Sequence, residues 1–280
     1  EELQVKLCYH EGKIHFTDGL WVPGSIRVFP FIDESERLIE YLKKNKIYHW
    51  ADVLIDPATG CGHHVNAMSH INNKLALDIN IRAVAYCDLN RVINDTKNLL
   101  VGINDISDGI PSLLTQSLGG KVLFLVNMPF ALSPKKDALP LSADGGETGV
   151  KHTFSAMQAI KKFADSNTKA KAIRLCILNY SLGNSKNGSW ETLEFAKETF
   201  GIDNVEFHLL EDEKMWRING KKEQDNPMDI EKLHLKAECR FYVNDLRRDE
   251  VREGYKLLET KIRDKGWNVL GYGIIDAKVR

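Results

Sequence analysis

Four stretches of the chain place chemically useful residues just beyond an apolar run. Val53-Leu54-Ile55 ends in Asp56 and continues as Pro57-Ala58-Thr59-Gly60-Cys61-Gly62. Two glycines there let the backbone turn tightly and bring its amides to a ligand that a side chain would hold away. The spacing is Asp-x-x-x-Gly-x-Gly, and the third glycine of the dinucleotide fingerprint is missing, with His64 and Val65 where it would fall. Leu75-Ala76-Leu77 ends in Asp78, far enough past the glycine turn to accept hydrogen bonds from ribose hydroxyls. Asp88 is a rival for that role and ranks second, because it falls mid-helix. Leu99 to Ile103 ends near Asp105, which could accept from the exocyclic amine of an adenine. Asp105 serves equally well as a plain turn or helix-start aspartate. Asp56 has a bland reading too, as a carboxylate that ties the loop to its own amides.

The fourth stretch, Lys121 to Val126, runs into Asn127-Met128-Pro129-Phe130. At a strand end, an Asn oxygen and the following Met128 carbonyl can together accept both protons of a planar amine or amide. That draws the nitrogen lone pair out of conjugation and towards an electrophile. Pro129 stiffens the turn, and the Phe130 ring can stack on a flat substrate or face positive charge developing on nitrogen. In isolation this would be an ordinary turn with a core Phe. The glycine turn and two acidic strand ends before it tilt the reading towards chemistry.

Elements that would position these residues follow from periodicity. Leu3 to Val22 alternates around Glu11-Gly12 and predicts a β-hairpin. A helix begins at Asp33-Glu34-Ser35-Glu36, with Leu38, Ile39 and Leu42 at helical spacing and Lys43-Lys44 at its end. Helices are predicted over 65–71, 81–95, from the loop at 133–149 through Phe163, over 191–200 and over 249–265. Strands are predicted at 75–78, 99–103, 121–126, 173–178, 205–210, 215–218, 239–243 and 267–275. In the stretch 81–95, Ile81, Val84, Ala85, Leu89, Val92 and Ile93 form one apolar stripe, so it reads as a helix. Strand and helix alternate with short connections, so the expected fold is α/β with a doubly wound, mainly parallel sheet. Residues 1–35 form a hairpin extension, 36–210 the core, and 211–280 a charged α+β segment completing or capping the sheet.

Composition narrows the classes. An apolar fraction of 43% with 28% charged residues is that of an ordinary globular protein, and a net charge of -1 gives no global pull towards nucleic acid. Five scattered cysteines, never spaced Cys-x-x-Cys, argue against a disulfide framework or zinc site. With no apolar run of membrane-spanning length and no visible signal peptide, the expectation is a cytoplasmic protein without metal or membrane partner. His63-His64 and His70 find no acid in sequence to complete a metal set, so satisfied or solvent-facing histidines are expected. No nucleophile elbow supports a Ser/His/Asp triad.

Taken together, the motifs resemble those of the class I S-adenosylmethionine-dependent methyltransferases, in their amino-methylating branch. Asp56 to Gly62 is similar to that family's Asp-Pro-Ala-x-Gly-x-Gly. Asp78-Ile79-Asn80 with Arg82-Ala83 is similar to its second motif. Asn127, Pro129 and Phe130 match Asn-Pro-Pro-aromatic. Asp144-Gly145-Gly146-Glu147-Thr148-Gly149 is similar to a loop of release-factor glutamine methyltransferases. The resemblance spans roughly residues 20–210 and implies S-adenosylmethionine as cofactor. It assigns the methionine part to Asp56, Pro57, Thr59, Gly60 and Gly62, the ribose to Asp78, the adenine to Asp105 and methyl-acceptor orientation to Asn127 through Phe130, with Asn127 also among the cofactor-binding residues.

Two departures stand out. Met128 replaces the family's first proline while keeping the backbone carbonyl, and the helical recognition domain of the glutamine enzymes does not precede this core. The acceptor could be a protein glutamine, a nucleic-acid base or a small molecule. The competing readings are an inert binding relative and, ranked lower for want of the third glycine, a nicotinamide-dependent oxidoreductase.

Overall fold

The computed structural model describes residues 5–19, 26–29, 33–112, 118–135, 138–210, 226–233 and 248–280, and the backbone of 217–218 and 221–222. β1 (Val5–His10) and β2 (Lys13–Asp18) form the expected antiparallel hairpin. Glu11 and Gly12 at its turn both have positive φ, 44° and 80°, the sense that matches the right-handed twist of the flanking strands.

Helix α1 (Asp33–Lys44) leads to β3 (Val53–Asp56), α2 (His63–Ala67), β4 (Asn73–Asp78), α3 (Ile81–Ile93), β5 (Leu99–Ile103) and β6 (Gly120–Asn127). Then come α4 (Lys151–Ser166), β7 (Ala170–Asn184), β8 (Ser189–Trp190), α5 (Glu191–Phe200) and β9 (Val205–Leu209). Two short pieces, β10 (Arg217–Ile218) and β11 (Lys221–Lys222), pair with each other; β12 (Met228–Asp229), α6 (Arg248–Asp264) and β13 (Val269–Lys278) finish the chain. The strand expected at 239–243 lies outside the described residues.

The main sheet runs β12-β13-β7-β6-β3-β4-β5, with β9 also on β13 and β8 on β7. β5, β4, β3, β6 and β7 are mutually parallel, while β13 is antiparallel to both β7 and β9. The fold is therefore an α/β, mainly parallel sheet with helices on both faces and an N-terminal hairpin. The final strand does not sit at an edge: it inserts between β7 and β9. Arg174 on β7 grips Asp276 on β13 through two bonds of 2.7 and 2.6 Å, and Tyr41 on α1 donates to the same carboxylate at 2.8 Å.

β6 shows why its sequence is apolar throughout. Leu123 and Leu125 join the core facing α1, α2 and α6, while Val122, Phe124 and Val126 join the one facing α4 and α5. Successive side chains on a strand point to opposite faces, and here both faces are covered. Val251, Tyr255, Leu258 and Ile262 of α6 are buried in the first core. Each side chain of this kind contributes about 1.5–3 kcal/mol by burial, so the C-terminal helix is part of the main structure.

The expected helix over 81–95 is present as α3, Ile81–Ile93. The apolar stripe of α3 faces outward: Ile81 is 67% exposed, Val92 62% and Leu89 45%. The helix instead buries Ala83, Cys87 and Asn90, and it uses a polar stripe to hold the hairpin. The Asn90 side chain exchanges two bonds with the backbone of Phe16 (2.7 and 2.9 Å), and Asn94 does the same with Ile14 (2.9 and 2.6 Å). A step of four on a helix rises about 6 Å, close to the 6.8 Å of two residues on a strand, so two asparagines can stand in for a neighbouring strand. Arg82 and Tyr86, on the same stripe, both bond the buried Asp18 carboxylate.

Candidate active site

Because β6, β3, β4 and β5 are parallel neighbours, their carboxyl ends bring Asn127, Asp56, Asp78 and Asp105 into one row on one edge of the sheet. At about 4.8 Å per strand the row extends about 14 Å. In open α/β sheets, this edge is where ligands bind.

The glycine turn is held from below and from the side. Asp56 is fully buried; its Oδ1 accepts from the Ala58 amide at 3.2 Å and its Oδ2 meets His64 Nδ1 at 2.9 Å. It ties the loop to its own backbone, and its oxygens are engaged inside the protein. Gly60 and Gly62 have φ of 54° and 82°, in the left-handed region that favours glycine. At Gly62 a Cβ would fall 2.7 Å from Cys87 Sγ, so α3 packs directly on the turn. At Gly60 a Cβ would meet nothing within 4 Å, so the outer side of the turn is open.

Asp78 links the turn to the next strand. Its Oδ2 accepts from Gly60 N and its Oδ1 from Asn80 N, both at 2.9 Å. Burial is the largest influence on this carboxyl and, with the nearby Asp56 charge, pushes it up to about 6 against the pull of those amides. Asn80 caps α3 and donates to the Ile26 carbonyl at 2.7 Å, so the segment after the hairpin flanks Asp78.

Asp105 accepts from Ser107 N at 2.8 Å and caps a short 3₁₀ turn, Ile106–Asp108. That bond and one from the Ser107 hydroxyl, helped by His152 and Lys151, hold its carboxyl below the usual range.

At the end of β6 the Asn127 amide nitrogen donates to Ser35 Oγ, 3.3 Å away on the first turn of α1. Met128 is buried among side chains of the α4 face. The Phe130 ring is 6% exposed and meets Tyr180 and Tyr272 at centroid distances of 4.7 and 5.5 Å. It is therefore core-facing, with Tyr180 and Tyr272 as its neighbours.

The Asp144–Gly149 loop braces this turn. Ala131 N donates to Ala143 O and Gly145 N to Ala131 O, both at 2.9 Å. A Cβ on Gly145 would fall 2.7 Å from the Phe130 backbone, and one on Gly149 2.5 Å from the Phe130 carbonyl. These glycines are required by close backbone packing. From α6, Tyr255 donates to the Leu132 carbonyl at 3.1 Å.

The histidines after the glycine turn have acid partners. His63 and His64 are each 3% exposed, and acids do stand beside them. His64 has Asp56, while His63 contacts Glu36 of α1, which also meets His10 at 2.6 Å. Glu36 is distant in sequence, so no local pattern showed it. His15 of β2 lies 4.9 Å from His63 by ring centroid, fully buried, with no hydrogen-bond partner on either nitrogen. Among the described residues, no group of three or more His, Cys, Asp or Glu is placed to hold a metal ion, and no helix is long and apolar enough to cross a membrane.

Sequence reasoning missed Ser35, Tyr180, Tyr272 and His64 as neighbours of the site. Ser35 did carry a signal as a helix-start residue, but only tertiary packing brings α1 to the end of β6.

No family model matches the chain, and no curated protein matches it. Solved structures do. TYW2 of M. jannaschii, solved with AdoMet, has a TM-score of 0.47 at 12% identity, with 99% of this chain and 87% of that one covered. The 16S rRNA N2 G1207 methyltransferase RsmC of T. thermophilus, solved with AdoMet and guanosine, has 0.46 at 13% identity, covering 72% and 46%. Trm5b of Pyrococcus abyssi has 0.41 at 14% identity, covering 75% of this chain and 50% of that one, so the match spans about half of Trm5b. At these identities and TM-scores the likeness carries nothing about this chain's chemistry.

Proposed function

We propose that this chain binds S-adenosylmethionine across the row of strand ends and transfers its methyl group to a planar nitrogen. The supporting observation is Asp78, whose two oxygens each accept one backbone N–H from opposite sides, Gly60 and Asn80. A carboxylate oxygen accepts two bonds, so each retains a direction for a ribose hydroxyl. The open outer side of Gly60 gives the methionine part a backbone surface to lie on. Asp105, at the end of the row, would face the adenine amine while its carboxylate also holds Ser107. Donor set and spacing thus fit this cofactor, and the cofactor supplies the electrophilic methyl group.

The protein's part is alignment. With its nitrogen turned to Ser35, Asn127 offers Oδ1 to an acceptor N–H beside the Met128 carbonyl. Two acceptors aimed at one nitrogen orient its lone pair and favour the charge that develops there. Phe130 shapes the wall from behind, since its ring is taken up by Tyr180 and Tyr272. A protein glutamine, a nucleic-acid base and a small planar amine all remain acceptor classes for this site.

Calorimetry with S-adenosylmethionine and S-adenosylhomocysteine, with NAD as control, tests the cofactor. Binding that falls at least tenfold in Asp78→Ala supports the reading, and preference for NAD or no binding overturns it. The core-facing Phe130 ring, with Met128 in place of proline, favours one second reading, a cofactor-binding protein without turnover. In that case Asn127→Ala binds like wild type and neither transfers methyl groups, with or without Met128→Pro.

A further inference from the structure

The two ends of the parallel strands carry different chemistry. The carboxyl ends hold Asp56, Asp78 and Asp105, whereas the amino ends are marked by lysine. β6 starts at Gly120-Lys121, and β7 at Ala170-Lys171 with Lys169 just before it. Lys44 ends α1, and Lys46 lies in the connection to β3. All five lysines are exposed. Among the described residues, the acids near them are engaged elsewhere. Glu11 holds Lys43 at 2.7 Å, Asp165 holds Lys161 at 2.5 Å, and Asp52 accepts from the Lys121 amide at 2.8 Å.

Four rings interleave with these charges. Tyr48, His49 and His70 meet with centroids 4.9, 4.5 and 4.6 Å apart, and both histidines are exposed. Lys121 Nζ stands 6.0 Å from the centre of the half-buried Trp50 ring. The Tyr48 hydroxyl donates to Ala67 O at 2.9 Å, and His70 Nε2 meets Tyr48 O at 2.7 Å, so the ring group is fixed in place. Trp50 precedes β3 and His70 precedes β4, so lysines and rings follow one edge in the spatial order β7, β6, β3, β4. At about 4.8 Å per strand this stretch is about 14 Å long. That is the rise of about four stacked nucleotides.

Lysine attracts phosphate as a point charge whatever the sequence, and a ring face holds a base by stacking. A polyanion without bases would use only the lysines, and a duplex keeps its base faces inside the stack. The combination fits a single strand. We propose that this edge binds single-stranded nucleic acid, with phosphates along the five lysines and a base on the His49 ring. From Lys121 to Asn127 is about 20 Å of strand, so the surface is separate from the cofactor row and does not depend on it.

Fluorescence anisotropy of the full chain with end-labelled oligouridylate and oligothymidylate of about 12 nucleotides tests this. Micromolar binding is expected, weakening about a hundredfold between about 50 and 200 mM salt, because five neutralised phosphates each release about 0.7 counterion. The double variant Lys121→Glu with Lys171→Glu should lose at least tenfold and flatten the salt dependence. His49→Ala should lose about fivefold or more with the salt dependence kept. Lys186→Glu, an exposed charge in the turn after β7 at the opposite edge, should bind like wild type. Calorimetry with S-adenosylmethionine should not distinguish any of these variants from wild type, so failure of the strand assay and failure of the cofactor reading are told apart. No binding at the lower salt overturns the proposal. An equal loss in Lys186→Glu, which would reduce the effect to overall charge, overturns it as well. So does indifference to His49→Ala, or tighter binding of a duplex or of heparin.

Discussion

Lowering the pH should loosen the N-terminal hairpin, and His15 sets the size of the effect. Its imidazole is fully buried beneath β2 against His63, with His10 and Lys13 also near and neither ring nitrogen bonded. Burial, then the His63 and His10 charges, push it down to about 3 from an ordinary 6.5. The folded value lies below the unfolded one, so the unfolded chain takes up the proton first. Stability is full above about 6.5 and is lost as the pH falls towards 3. Between pH 7 and pH 5 the unfolded state gains about 2 kcal/mol from this one group. His63 is depressed by burial as well, despite the opposing pull of Glu36, and adds to the loss with the same sign. Urea unfolding at the two pH values, on wild type and His15→Phe, isolates the effect. Hydrogen exchange at the Phe16 amide, bonded to Asn90, reports whether the hairpin opens first. The wild type should lose about 2 kcal/mol more than the variant. Equal losses in the two proteins would refute the reasoning.

Other consequences concern the turn, the hairpin, the sheet and the ligand. Gly149→Ala puts a Cβ 2.5 Å from the Phe130 carbonyl at a φ of 80° and should cost about 2–5 kcal/mol by thermal unfolding. Gly12→Ala has the same φ with nothing within 4 Å and should cost only about 1 kcal/mol. Asn90→Ala removes both bonds to Phe16 and one to the Cys61 carbonyl, so limited proteolysis should cut the hairpin well before the core. Arg174→Ala leaves the buried Asp276 without its cation and should destabilise the protein by about 3–5 kcal/mol in urea. With the Asp78 carboxyl raised to about 6, cofactor affinity should fall as the pH drops through that value. Titration by calorimetry between pH 8 and pH 5 would show it, and flat affinity would separate Asp78 from the ligand.

The sequence determined the alternation of elements and the polar strand ends. A strand buried on both faces must be apolar throughout, as β6 is, and a hairpin turn with positive φ leaves Glu11-Gly12 as its trace. The row Asn127, Asp56, Asp78 and Asp105 was legible because each residue ends its own apolar run, and parallel strands put all such ends on one edge. Tertiary structure decided what no local pattern holds. Pairing placed β13 between β7 and β9, joining Arg174 to Asp276 across a hundred residues. The helix α3 was legible from its apolar stripe, but which face it packs was decided by a competing polar stripe. Arg82, Tyr86, Asn90 and Asn94 gain more by satisfying the hairpin's backbone and Asp18 than periodicity alone can weigh. Glu36 reached His63, and Phe130 turned to Tyr180 and Tyr272, for the same reason. A side chain's partner is fixed by the packing of distant elements, whereas its place at a strand end is fixed by its neighbours in sequence.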